Sequence, residues 1–397
     1  MATSGDFNGR SYRGGLRSAA VLVFVCLVVT SCQSGASTTG GSARASQTKS
    51  AQTKQTWCEA ELNAAWKKML SGGLVELSRH VSVVPLALAN DGRSFFAEIY
   101  TKAYSGIVRV DAASSRYSRI RRFHHPGRDQ ALGGFDGRWF VWTEYHSLQN
   151  PDDFKVWSWD SRRGRLRQIG AAVRSPSGQF WSSVWQGAVA LDGYATWEQG
   201  SGPDSLGDIH VVDLESGRDR IVRRGHSTGS FLVPGRSGPL VVWPESMKPG
   251  VLTIMRAAEV STGRVVAVPP ALRRLRGGLV PATDGRAIVY ATDQWRSLWW
   301  SPSLDVAPRR VYIAPKGAFI ENWVHIANHY VSFTVWPKAY LADASRGRYL
   351  EINPGGDTHL GAKSLALGKP PKTKKMHALT DIVFLPLKSL PPIPPCK

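Results

Sequence analysis

The feature that most restricts this chain is a repeated phrase, an Asp-Gly turn set between two apolar runs and met again at near-constant intervals. The clearest copies read ALANDGRSFFAEIY, LGGFDGRWFVWTEY, AVALDGYATWEQ and VPATDGRAIVYATD, with turns at Asp91, Asp136, Asp192 and Asp284. Looser copies are GRSGPLVVWPES, centred on Gly238, HIANHYVSFTVW, with Asn328 and His329 at the turn, and GAKSLALGKPPKTKKMHALTDIVF. Most successive turns lie about 45 residues apart, a spacing typical of one four-stranded repeat. Each turn leads into an aromatic and β-branched run that suits a buried pleated strand. A second hairpin follows, as in GIVRVDAASSRYSRIRRF, FKVWSWDSRRGRLRQIG, DIHVVDLESGRDRIVRRG, LTIMRAAEVSTGRVVAVPP and AYLADASRGRYLEINPG. Its turn carries an acid followed by Ser or Thr with Gly or Arg, and Gly there supplies positive φ at little steric cost. One repeat is therefore four antiparallel strands, the unit of a β-propeller blade.

The expected fold is all-β, a propeller of about seven four-stranded blades. Six or eight blades also fit, because the fourth, sixth and seventh copies lack the Asp-Gly pair. The succession of DG, aromatic strand and D-x-x-S/T-G hairpin resembles the TolB-like and WD40-like propeller repeats of bacterial extracytoplasmic proteins. That resemblance implies a fold and says nearly nothing of an activity. The helical spacing of WCEAELNAAWKKML predicts one short N-terminal helix over Trp57 to Leu70, and Gly73 to Val81 is expected to supply the missing strand of the last blade. The expected boundaries are 1–31 for a leader, 32–56 for a tether, 57–81 for the capping helix and closing strand, and 82–397 for the propeller.

Arg10, Arg13 and Arg17 precede an apolar run from Ala19 to Val29. As a helix this run reaches roughly 16 Å at about 1.5 Å per residue, short of the roughly 30 Å hydrocarbon core of a bilayer. A basic segment, a short apolar segment and small residues at its exit are the layout of a secretory signal peptide. The exit, Val29-Thr30-Ser31-Cys32, resembles the lipobox of bacterial lipoproteins, which implies lipid attachment at Cys32 and a place on the extracytoplasmic face of the cell membrane. From Gln33 to about Thr56 the chain is Ser, Thr, Gly, Gln, Ala and Lys with one arginine, Arg44, and without an aromatic residue, a composition that buries too little to order itself.

With Cys26 in the leader and Cys32 taken by lipid, Cys58 and Cys396 remain, at the two ends of everything that looks folded. The compartment outside the membrane permits a disulfide between them. The whole chain has 50 Lys plus Arg against 30 Asp plus Glu; without the three arginines and one aspartate of residues 1–31 the excess is +18. Such a balance draws a protein towards anionic surfaces, which outside a cell are phospholipid headgroups and wall polymers rather than nucleic acid. Lys369, Lys372, Lys374 and Lys375, around Pro370 and Pro371, form the densest cluster. The arginine-rich clusters recur in the last hairpin of each repeat, where charge guards an exposed sheet edge.

An acid also recurs at the end of the aromatic strand: Glu98, Glu144, Glu198, Glu245 and Asp293. If these carboxylates face the axis, they form a ring able to hold a cation or to supply the acid and base of a glycoside-cleaving enzyme. If they pair with arginines between blades, they are structural. The literal G-x-S-x-G of Gly225 to Gly229 lacks the strand-then-helix setting of a nucleophile elbow, and adjacent His124 and His125 point to opposite faces of a strand. No metal set and no cofactor are expected. The sequence thus points to a membrane-anchored monomer that binds an envelope protein or anionic polymer without catalysis, with a glycan-active enzyme as the alternative.

Overall fold

A computed structural model describes residues 56–75, 77, 81–123, 130–145, 153–178, 180–181, 187–200, 207–227, 229–245, 254–275, 281–292, 295–321, 324–335, 337–353, 358–369 and 381–397. They form a seven-bladed β-propeller. Blade 1 is built from Ser82–Leu88, Ser94–Tyr100, Ser105–Asp111 and Arg116–Arg122, in that order from the axis outwards. Blade 2 repeats the order with Gln130–Phe135, Trp139–Tyr145, Lys155–Asp160 and Arg165–Ala171. Blade 3 runs from Val189–Leu191 to Asp219–Ser227, blade 4 from Phe231–Val233 to Val265–Val266, and blade 5 from Ala282–Thr283 to Arg309–Ile313. Blade 6 runs from His325–Ala327 to Arg348–Asn353, and blade 7 starts with Thr358–Leu360, Ser364–Lys369 and Asp381–Pro386.

The turn chemistry explains why the repeat is written as it is. Asp91 Oδ1 accepts the backbone N–H of Arg93 and of Ser94, and Asp136 and Asp284 do the same for the two residues that open their strands. Asp192 and Gly193 instead form a two-residue hairpin turn, both with positive φ, of 50° and 81°. Asn328 and His329 make the corresponding turn of blade 6, with Asn328 at φ 58°. In the second hairpin Asp160, Asp213 and Asp343 each accept two backbone N–H groups from the turn they begin.

The second strand of each blade is covered on both faces by neighbouring blades, so it reads as an unbroken apolar run rather than an alternating one. All seven residues of Trp139–Tyr145 are buried, whereas Arg116–Arg122 at the outer edge is largely open to solvent. Between blades 1 and 2 the rings of Phe96 and Phe140 stack with centroids 4.4 Å apart. Between blades 7 and 1, Phe384 and Phe95 do so at 5.9 Å.

Both chain ends close the ring. Leu74–Val75 pairs antiparallel with Val383 and Ile382 and forms the outer strand of blade 7. Cys58–Glu59 adds a fifth, parallel strand outside Arg348–Asn353 of blade 6, and Cys58 is disulfide-bonded to Cys396 with Cα atoms 5.7 Å apart. The helix lies between these two edges and covers Ala64–Gly72, not Trp57 to Leu70 as its spacing predicts. Edge pairing overrides local propensity at its start, because the N–H groups of Trp57, Cys58 and Ala60 bond to carbonyls of Val311, Gly347 and Tyr349. Asn63 then caps the helix by accepting the Trp66 N–H at 3.1 Å, and the fully buried Trp66 indole donates to the Pro392 carbonyl.

Candidate functional site

The recurring carboxylates occupy two registers. Counted from the residue opposite the second-hairpin acid, Ser94, Trp139, Tyr194 or Leu240, Glu98 and Glu198 stand four places on, whereas Glu144 and Glu245 stand five. A one-residue offset in a strand turns a side chain to the other face. Glu144 and Glu245 therefore face the preceding blade. Glu98 and Glu198 face the following one, as does Thr143, whose hydroxyl accepts the N–H of Ala188 in blade 3 at 2.8 Å. All four lie on second strands, between blades and one strand removed from the axis. The described acids do not converge on one mouth; Asp293 lies outside the described residues.

Their surroundings differ in kind. Glu144 receives Arg121, from the outer strand of blade 1, through Nε at 2.6 Å and Nη2 at 2.9 Å. The same guanidinium lies 3.6 Å above the Trp157 ring of blade 2. Glu245 repeats the arrangement two blades on, gripped by Arg223 of blade 3 and, at 2.6 Å, by Arg256 of its own blade. Burial works against its charge, but the hydrogen bonds and charges of Arg256 and Arg223 outweigh it and hold the carboxyl below its usual range. Glu98 accepts the Tyr100 hydroxyl at 2.9 Å.

Glu198 has neither arrangement. Its side chain lies over Gly207, where an added Cβ would come within 2.5 Å of it, and both of its oxygens are buried without a hydrogen-bond partner. Burial pushes its pKa well above the ordinary value. Desolvation is the one cause, with no compensating charge against it. At the preceding interface the position held by Arg121 in blade 1 and Arg223 in blade 3 is Gly170, opposite Val156 as they are opposite Ile107 and Ile209. The Trp197 ring fills that space, 2.6 Å from where a Cβ would stand, and stacks on His210.

The outer-strand arginines do more than guard an edge. Arg167 donates to the Leu214 carbonyl at 2.8 Å and Arg220 to the Ser261 carbonyl at 2.9 Å, and Arg138, in the first-hairpin turn rather than on an outer strand, bridges Asp160 and Glu215. Each contact joins one blade to the next, except the Asp160 arm of Arg138. Sequence reading allowed for arginine–carboxylate pairs between blades but read the outer-strand clusters as edge protection, because which arginine turns inward, Arg121 or Arg223, is set by a register shift in the outer strand. At the turn end of blades 2 and 3, Asp136, Arg138, Trp139, Arg162, Asp192 and Gly193 line a shallow cleft of about 450 Å³. Lys369 ends the strand Ser364–Lys369, opposite Asp381, while Cys32, Lys372, Lys374, Lys375, His124 and His125 lie outside the described residues. Ser227 ends the strand Asp219–Ser227 and sits on no strand-to-helix turn. Among the described residues no group of three or more His, Cys, Asp or Glu is placed to hold a metal ion.

No family model matches the chain, and no curated protein does. Solved structures do match. A prolyl endopeptidase is similar over 77% of this chain and 46% of its own, at 15% identity and a TM-score of 0.46. TolB from Acinetobacter baumannii is similar over 56% of this chain and 52% of its own, at 16% and 0.33. The β-propeller domain of the trilobed protease from Pyrococcus furiosus is similar over 73% and 90%, at 10% and 0.45. The chain thus spans about half the length of the first two. At these identities the likeness concerns the fold.

Proposed function

We propose that the protein is a lipid-anchored, extracytoplasmic propeller that binds an envelope protein or anionic polymer without catalysing a reaction. The observation that carries this reading is the capture of Glu144 and Glu245 by arginines of neighbouring blades, which supports a structural role for these two of the recurring carboxylates. The disulfide between Cys58 and Cys396 supports an oxidising compartment. The lipobox-like Cys32 supports the anchor, and the excess of basic residues supports an anionic surface as neighbour.

A glycan-active enzyme is favoured by one observation. Glu198 faces blade 4 and Glu245 faces blade 3, and their surroundings push one pKa up and the other down, the division of labour an acid and a base require. Against it, both Glu198 oxygens are shut off from solvent, so a sugar has no path to them.

Cell fractionation with chemical cross-linking on intact envelopes tests the two readings. The full chain is expected in the membrane fraction, cross-linked to an envelope component equally well in the wild type and in Glu198→Gln. Cys32→Ala is expected to leave the membrane. Glycan cleavage by the wild type that Glu198→Gln abolishes would replace binding with catalysis, and membrane retention of Cys32→Ala would remove the anchor.

A further inference from the structure

Two histidines stand beside one another on innermost strands that no part of the proposed function uses. His325 opens the inner strand of blade 6 and His359 is the middle residue of the inner strand of blade 7, with ring centroids 5.2 Å apart. Each keeps one ring nitrogen buried and without a hydrogen-bond partner, Nε2 of His325 and Nδ1 of His359. One hydroxyl shares that condition, Ser332, directly opposite His325. Three buried polar atoms without partners on adjoining strands mark a site made for something else, since such atoms are otherwise satisfied.

The unpartnered nitrogens, Nε2 of His325 and Nδ1 of His359, are the two that a shared ion would take as ligands. Two imidazoles sharing a tetrahedral ion at about 2.0–2.1 Å from each ligating nitrogen place their ring centres on the order of 5 Å apart, which the observed spacing meets. No third His, Cys, Asp or Glu joins them among the described residues, so the remaining positions fall to water, with the Ser332 hydroxyl opposite His325 as a partner.

We infer that His325 and His359 form an open, two-imidazole site for a borderline divalent cation of the zinc type, bridging blades 6 and 7. Imidazole suits zinc and its neighbours, whereas calcium and magnesium demand oxygen ligands. An ion here joins the blade that carries the Cys58 strand to the blade closed by Leu74–Val75, so its binding reinforces the closure of the ring.

The test is equilibrium dialysis of the untagged full chain in detergent against zinc alone, followed by X-ray absorption of the loaded protein. One zinc per chain with two imidazole ligands is expected. His325→Gln and His359→Gln should each weaken binding at least tenfold, and His329→Gln, on an exposed turn, should not. Absence of stoichiometric binding, fewer than two imidazoles, or affinity unchanged in both inner-strand variants would overturn the site and leave ordered water as its occupant. The absorption measurement on the wild type decides the matter even if a variant does not fold.

Discussion

Arg121 and Glu144 belong to different blades, and the guanidinium of one closes on both carboxylate oxygens of the other, at 2.6 and 2.9 Å. Arg223 and Glu245 join blades 3 and 4 through one oxygen, Oε1, while Arg256 of blade 4 takes the other. Between blades 2 and 3 the pair is absent, replaced by Gly170 and by the Trp197 ring that occupies its space. At this position the propeller therefore uses an arginine–carboxylate pair at two interfaces and an aromatic wedge at a third, where Arg138 and Glu215 supply an ion pair at the turn end instead.

The wedge predicts the effect of Gly170→Ala. A methyl group 2.6 Å from the Trp197 ring forces the indole off its His210 stack. Overpacking of this kind costs about 1–3 kcal/mol, read as a lower midpoint in urea unfolding. A neutral result would mean that the ring moves freely.

Reduction of Cys58–Cys396 releases a closure that spans 338 positions. Loop-entropy models assign such a closure on the order of 5 kcal/mol, and measured losses commonly lie nearer 2–5. Because Leu74–Val75 still pairs with blade 7, the reduced protein should keep its far-ultraviolet circular dichroism at 25 °C while its melting temperature falls. Loss of the sheet spectrum on reduction alone would show that strand closure is insufficient.

Glu198 makes stability depend on pH in a definite sense. Its folded pKa is raised above the unfolded value, so the folded state holds a proton that the unfolded state has lost. Its favourable contribution is present in full below the unfolded pKa, about 4.3. It is lost as pH rises through the folded value, with a slope of at most about 1.4 kcal/mol per pH unit. Glu245, Arg223 and Arg256 share the interface, and the two arginines are already engaged by Glu245. Glu198→Gln should therefore be the more stable protein at pH 8 and show a flatter profile in chemical denaturation from pH 5 to 8. A parallel profile would mean that Glu198 is ionised in the fold.

What was legible in the sequence is what is local. The Asp91 and Asp136 turns announce themselves because each acid bonds to residues two and three places on. The closing segment was legible because a ring needs one, and the disulfide because two cysteines flank the folded part. The carboxylates were visible as a recurrence but not as two registers, since the offset between Glu98 and Glu144 appears only when their strands are paired. Arg121 read as edge protection because nothing in RYSRIRRF shows which arginine a register shift turns inward. Trp57 read as helical because its spacing is right and its partner, the Val311 carbonyl, is far away in sequence. His325 and His359 went unremarked for the same reason: the fold alone makes them neighbours.

The central claim is that Glu144 and Glu245, two of the recurring carboxylates, bind blade to blade. A double-mutant cycle on Arg121→Ala and Glu144→Ala, followed by urea unfolding, tests it most directly. Each single change leaves a largely buried partner unpaired and should cost about 2–4 kcal/mol. The account predicts that the double variant loses less than the sum, with a coupling of about 1.5–3 kcal/mol; losses that add to within about 0.5 kcal/mol would contradict it.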